Sequence, residues 1–149
     1  MSTYAVINIT TNICERGVAY NEGDDWSPPD GYYIINIDGL SVGIGWHYEP
    51  STQVWTGPPE ISADFNPTPI FLGQETILSW VAINATSVSL STYPDVIFDA
   101  IGSKAYTPAS IGKMKVTLTA MGVAGSVSST VMITVYGTQS EMNLNTVFV

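Results

Sequence analysis

Short runs of alternating apolar and polar residues recur along the whole chain, broken by Gly, Pro, Asn and Asp. No segment sustains an apolar period of 3.6, so the pattern predicts strands rather than helices. The clearest run is 112–121, where Met114, Val116, Leu118 and Ala120 share one face and Lys113, Lys115, Thr117 and Thr119 the other. Side chains alternate faces along a strand, so this segment reads as half buried. Residues 126–136 repeat the pattern with Val127, Val131, Ile133 and Val135 inward, and Gly122 and Gly125 between the two runs mark a hairpin turn. Residues 75–82 alternate again, with Leu78 and Trp80 on one face. Val88 and Leu90 alternate with Ser87, Ser89 and Ser91. Strands at this spacing predict a sandwich.

The first part of the chain reads differently. It holds Trp26, Trp46 and Trp55, three of the four Trp, and five of the eight Tyr. Strands are predicted at 3–9, 15–20, 31–38, 42–48 and 53–56. In 42–48, Val42, Ile44, Trp46 and Tyr48 are expected on one face, with Gly43 and Gly45 leaving the other bare. The Pro58-Pro59 pair cannot donate ladder hydrogen bonds and biases its predecessor to extended geometry, so it is a natural boundary. The expected organisation is all-β: a small aromatic-rich β module (1–58), a sandwich (59–136), and a C-terminal arm or extra edge strand (137–149). The last segment ends in Val147, Phe148 and Val149, more apolar than a free tail requires. It is expected either as an edge strand on the chain's own sheet or as an arm that docks on a neighbouring subunit.

Composition narrows the function classes. Of 149 residues, 45% are apolar and only 11% charged, against a usual ~25% charged. The formal net charge is -9. Seven acids and one base fall in 1–58, net -6; five acids and three bases fall in 59–136, net -2. That balance argues against unaided nucleic-acid binding and against an anionic membrane surface. No apolar run approaches ~20 residues, so no membrane insertion is expected. The opening MSTYAVINIT has no basic n-region, so no secretory signal is expected.

The chemistry-bearing residues are few. One Cys (Cys14) and one His (His47) exclude an internal disulfide and a four-ligand Cys/His zinc cluster. His47, the only imidazole, is expected to face solvent from a strand, and Cys14 has no nearby base except Arg16, so an activated thiolate is not expected. No Gly-rich phosphate loop with a following Lys occurs. Carboxylates such as Asp95 and Asp99 are available, but a glycosidase needs a larger cleft-bearing scaffold. Glu22, Asp24, Asp25 and Asp30 cluster in a Gly/Pro-rich loop without EF-hand spacing, and read as a solvated acidic turn. No catalytic residue, metal site or cofactor is expected. The aromatics Trp26, Tyr32, Tyr33, Trp46, Tyr48 and Trp55 are the candidate binding residues. They would serve as module core, as a protein interface, or as a platform on which a sugar stacks.

Two resemblances add to this. Gly73-Gln74, Leu78-Ser79-Trp80 and Asn84-Ala85-Thr86-Ser87-Val88, with Tyr106-Thr107-Pro108 and the hairpin after it, resemble bacterial and phage immunoglobulin-like domains over about half the chain. The likeness implies an immunoglobulin-like β-sandwich without the antibody disulfide, Trp80 filling the space between sheets. Such sandwiches host many roles, so it is specific for fold alone. Residues 25–34 and 44–59 resemble small modules of phage tail-fibre and other virion proteins at Trp26, Pro29, Gly31, Ile44, Gly45, Trp46, Tyr48, Trp55 and Pro58. Together they imply a non-catalytic bacteriophage virion structural protein, assembled in the cytoplasm of the host bacterium. A capsid decoration protein displaying its sandwich is the first expectation. A tail or tail-fibre component and a carbohydrate-binding host-adhesion module are the alternatives. Implied partners are other virion proteins, copies of itself in a homo-oligomer, and host-surface glycans.

Overall fold

A computed structural model describes residues 1–138. Among these, every regular element is a β-strand, thirteen in all. The docking-arm residues Val147, Phe148 and Val149 lie outside the described residues. The chain divides into two compact units, one of Met1–Pro59 with Gly122–Gly125 and one of Glu60–Met121 with the residues from Ser126 on.

In the first unit, β1 (Ser2–Asn8) lies between β2 (Cys14–Tyr20) and β3 (Tyr32–Asn36), antiparallel to both. Its pairing with β2 shifts between Val6 and Ile7: Val6 faces Arg16 and Ile7 faces Cys14, so Glu15 is the extra residue of a bulge. The loop joining them is closed by the Asn8 side chain, whose Oδ1 accepts from the Thr10 and Thr11 amides at 2.8 and 3.2 Å. A short antiparallel hairpin, β4 (His47–Glu49) and β5 (Val54–Thr56), completes the unit. It is tied to the β1–β2 loop by three backbone bonds: Cys14 N–H to Trp46 C=O, Gly45 N–H to Cys14 C=O, and Tyr48 N–H to Asn12 C=O, each 2.8 Å. The core is small: Ala5, Ile7, Cys14 and Tyr48, with Tyr33, Ile35, Ile37 and Trp55 packed on it.

The strand expected over 42–48 is corrected. Only His47–Glu49 is extended there, and the residues before it form a turn. Gly45 has φ +88°, outside the extended region, and Trp46 N–H closes on Gly43 C=O at 3.2 Å. The shared face fails with it: Ile44 is 70% exposed while Tyr48 is buried, and His47 is half-buried rather than solvent-facing.

The second unit is a two-sheet sandwich. One sheet has the order β11 (Ile101–Tyr106), β8 (Thr76–Ile83), β6 (Glu60–Asn66). The other runs β10 (Tyr93–Phe98), β9 (Ser87–Leu90), β12 (Gly112–Gly122), β13 (Gly125–Tyr136), β7 (Ile70–Phe71). The chain changes sheets between β6 and β7, through cis Asn66-Pro67 and Thr68-Pro69 bonds, and the Thr76 hydroxyl donates to the Pro67 carbonyl at 2.7 Å. β7 then pairs parallel with the last strand, Val135 opposite Ile70 and Tyr136 opposite Phe71.

Alternation drives the packing. Along β8, Thr76, Leu78, Trp80 and Ala82 are buried and the residues between them exposed. They meet Val88, Leu90, Val116, Leu118, Ala120, Ile133 and Val135 of the other sheet, with Phe65, Ile70 and Tyr106 closing the cluster. Each fully buried aliphatic side chain contributes about 1.5–3 kcal/mol over leaving it exposed. Trp80 is 2% exposed, and its indole N–H donates to the Asp99 carbonyl at 3.0 Å, so its one polar atom is satisfied inside. Lys104 sits at an inward position of β11 yet keeps its charge satisfied by lying over the Tyr93 ring, 4.8 Å from its centre.

Candidate functional site

The six aromatics singled out in the sequence do not form one platform. Tyr33, Tyr48 and Trp55 pack together in the core of the first unit, with ring centres 6.5 Å (Tyr33–Tyr48) and 4.9 Å (Tyr48–Trp55) apart. Only 7% of Tyr48 reaches solvent, so it offers no ring face to a ligand. A module this small buries little surface, and these rings fill its interior together with Ala5, Ile7, Ile35 and Ile37. Tyr33 donates its hydroxyl to Asn12 Oδ1 at 2.9 Å, which anchors the core ring to the β1–β2 loop.

Tyr32 is adjacent in β3 and so faces the other way. Its hydroxyl donates to Glu15 Oε2 at 2.7 Å, and the Asn8 side-chain amide donates to Glu15 Oε1 at 3.1 Å. The bulge at Glu15 therefore places a carboxylate between two side chains of neighbouring strands. The Glu15 carboxylate beside it raises the Tyr32 phenol above its usual range. Trp46 is half-buried, and its carbonyl accepts the Cys14 amide.

Trp26 has different neighbours. Its indole lies 5.2 Å from the Tyr20 ring, tilted by 42°, and Tyr20 in turn stacks on Tyr4 at 4.6 Å and 24°. Trp26 is 36% exposed. The loop that carries it is held by local hydrogen bonds: Asp24 Oδ2 accepts the Asn21 amide at 2.8 Å, and the Trp26 amide donates to the Asp24 carbonyl at 2.9 Å. A hollow of about 360 Å3 opens here, lined by Val18, Ala19, Tyr20, Asp24, Asp25 and Trp26. Partial burial, then the Tyr4 hydroxyl and the charge of Glu22, raise the Tyr20 phenol, so it stays neutral across ordinary pH.

Tyr4 and Tyr20 were not among the sequence candidates. Hairpin register would have found them. Tyr4 pairs with Val18 and Ser2 with Tyr20, so the two tyrosines are diagonal neighbours on one face, within reach of aromatic side chains.

The residues considered for chemistry are spread out. Cys14 is buried in the core, donates its thiol to the Arg16 carbonyl at 3.4 Å, and has its pKa raised mainly by burial. A thiol in that state is a small core side chain rather than a nucleophile. His47 is paired through its backbone with Thr56 and bridges Ile13. Asp99 serves the fold through its carbonyl, on Trp80. Among the described residues, no three His, Cys, Asp or Glu side chains converge in a way that could hold a metal ion. The hollow is lined by ring surface and two carboxylates on a hydrogen-bonded turn.

No protein-family model matches the chain, and no curated protein matches it in sequence.

Proposed function

We propose that the chain is a non-catalytic bacteriophage virion structural protein, a capsid decoration protein that anchors through its first unit and displays an immunoglobulin-like second unit. The observation that carries this reading of the second unit is its strand order. In immunoglobulin sandwiches a sheet of the first, second, fourth and fifth strands faces a sheet of the third, sixth and seventh, and in some the fourth position moves to the edge of the second sheet. Here β6, β8 and β11 face β9, β12 and β13, with β10 added at one edge and β7 at the other. Gly73-Gln74 lies at the turn into β8, and Leu78-Ser79-Trp80 lies along β8. Such sandwiches host many roles, so the strand order bears on the fold of the display unit and the virion role rests on the resemblance.

Surface chemistry supports assembly with other copies or other shell proteins. The outer face of the β11-β8-β6 sheet exposes Ile77, Val81, Ile83 and Ile101, and the outer face of β12 and β13 presents hydroxyls paired across strands, Thr117 with Thr130 and Thr119 with Ser128, each 2.9 Å apart. The charges on these faces are Glu60 and Asp64 on the edge strand β6 and Lys113 and Lys115 on β12, which leaves the apolar patch on β8 and β11 uncharged. The test is the amount of this chain in purified virions, measured by quantitative mass spectrometry against the major shell protein. Hundreds of copies support decoration, a dozen or fewer point to a tail or tail-fibre component, and none removes the virion reading. The host-adhesion alternative draws on exposed Trp26 beside Asp24 and Asp25. A glycan array without binding, together with Trp26→Ala leaving adsorption intact, would remove it.

A further inference from the structure

We propose that the hollow beside Trp26 receives an arginine side chain presented by a partner protein. This deepens the reading of the first unit as the anchoring unit and rests on it. The row Tyr4–Tyr20–Trp26 is a run of ring systems in which Tyr20 has a ring neighbour on either side, so the row ends on the exposed indole. An aromatic face carries partial negative charge and attracts a cation placed over it, indole most strongly. Immediately beside that face the turn supplies Asp24 and Asp25, both exposed and both lining the same hollow. Ring face and carboxylates thus ask for the same charge.

The geometry favours guanidinium over the other cations. A guanidinium is a plane that stacks on a ring and, in the same pose, presents N–H groups at its rim to carboxylates; an ammonium is a compact point charge that cannot do both equally well. The hollow is of ligand-pocket size, about 360 Å3 against the usual ~300–1,000 Å3, and its Val18 and Ala19 walls suit the apolar stem of an arginine. A neutral sugar would stack on the ring and donate hydroxyls to the carboxylates, but it would leave their two charges without a countercharge. An anion is opposed both by the two carboxylates and by the net -6 of residues 1–58. Because Asp24 Oδ2 and the Asp24 carbonyl already brace the loop, the site is organised before anything binds, which lowers the ordering cost of association.

The test uses the full chain, labelled with 15N, and three peptides: acetyl-Gly-Arg-Gly-amide, the same peptide with lysine, and the same peptide with citrulline, which keeps the planar shape without the charge. The arginine peptide should move the Trp26 indole N–H resonance, the lysine peptide should bind more weakly, and the citrulline peptide should leave it in place. Rising salt should weaken the arginine response. Trp26→Ala and Asp25→Asn, both at exposed positions, should each weaken arginine-peptide binding about fivefold or more, followed in Trp26→Ala on the backbone amides of Val18, Ala19 and Asp25, while resonances away from the hollow stay in place. No shift with arginine, or an equal shift with citrulline, overturns the proposal; a shift with a neutral oligosaccharide alone replaces it with a sugar site. The outcome separates from that of the virion reading. A chain abundant in virions but silent to arginine overturns this site alone. A chain that binds arginine but is missing from virions overturns the anchoring role alone.

Discussion

Gly102 of β11 lies directly opposite Trp80 of β8, and a Cβ at position 102 would stand 2.8 Å from Trp80 Cζ2. The indole occupies the place where any other residue would carry its side chain. Gly102→Ala must therefore displace the largest side chain in the sandwich core. The expected cost is about 1–3 kcal/mol, read as a lower urea midpoint for the second unit. Trp80→Phe removes the atom that clashes, so in that background Gly102→Ala should cost much less, and the double-mutant cycle should show coupling. An unchanged midpoint for Gly102→Ala alone would mean the indole moves aside freely. Trp80→Ala, which empties the site, should cost about 3–5 kcal/mol.

Cys14 should be protected in the native protein. Its side chain is 1% exposed and burial raises its pKa, so little thiolate forms and little reagent reaches it. At pH 8 an aromatic disulfide reagent should label it slowly in buffer and rapidly in denaturing urea. Prompt labelling in buffer would show that the first unit opens often.

Acid should weaken the first unit through Asp38. The Thr3 amide donates to its Oδ1 at 2.7 Å, and that bond above all, with help from the Ser2 and Asn36 side chains, holds the carboxyl below the usual range. A carboxyl whose folded pKa is depressed contributes stability above its unfolded pKa, near 4, and loses that contribution as pH falls through the folded value. The stability difference between the native chain and Asp38→Asn should therefore shrink as pH drops below about 4. A difference independent of pH between 2 and 6 would show that the Thr3 bond does not depend on the charge.

The C-terminal segment has its own test. If Val147, Phe148 and Val149 form a docking arm, removing residues 141–149 should reduce assembly while leaving the thermal unfolding of the isolated chain nearly unchanged. Equal loss of both would assign the segment to the chain's own sheet.

Much of the sandwich was legible because its long strands are buried on one face and alternate cleanly. Val116, Leu118 and Ala120 of β12 and Leu78 and Trp80 of β8 were all expected inward, and all are buried. Four strands of the second unit went unmarked: β7 has two residues, β10 runs with Pro94, Asp95, Val96 and Ile97 all exposed, β11 carries Gly102 and Lys104 at inward positions, and β6 was passed over although its Ile61, Ala63 and Phe65 alternate with polar residues. The first unit was less legible. Gly45 at φ +88° turns an alternating run into a bend, and periodicity cannot see a dihedral angle. The candidate site was half visible. Trp26, Asp24 and Asp25 are adjacent in sequence, but the stacking of Tyr20 on Tyr4 depends on the register between β1 and β2. That register includes a bulge that nothing in the composition announces.

The parallel pairing of β7 with β13 gives the second unit a direction of mechanical strength. Tension drawn from Ile70 at the start of one strand and Tyr136 at the end of the other pulls the strands past each other. Their cross-strand bonds, including Leu72 N–H to Tyr136 C=O at 2.7 Å, then share the load together. The β4–β5 hairpin of the first unit is loaded the other way: pulled from His47 and Thr56, which face each other at its open end, it parts one pair at a time. Under a stretching force the sandwich should hold like a clasp while the hairpin opens like a zip.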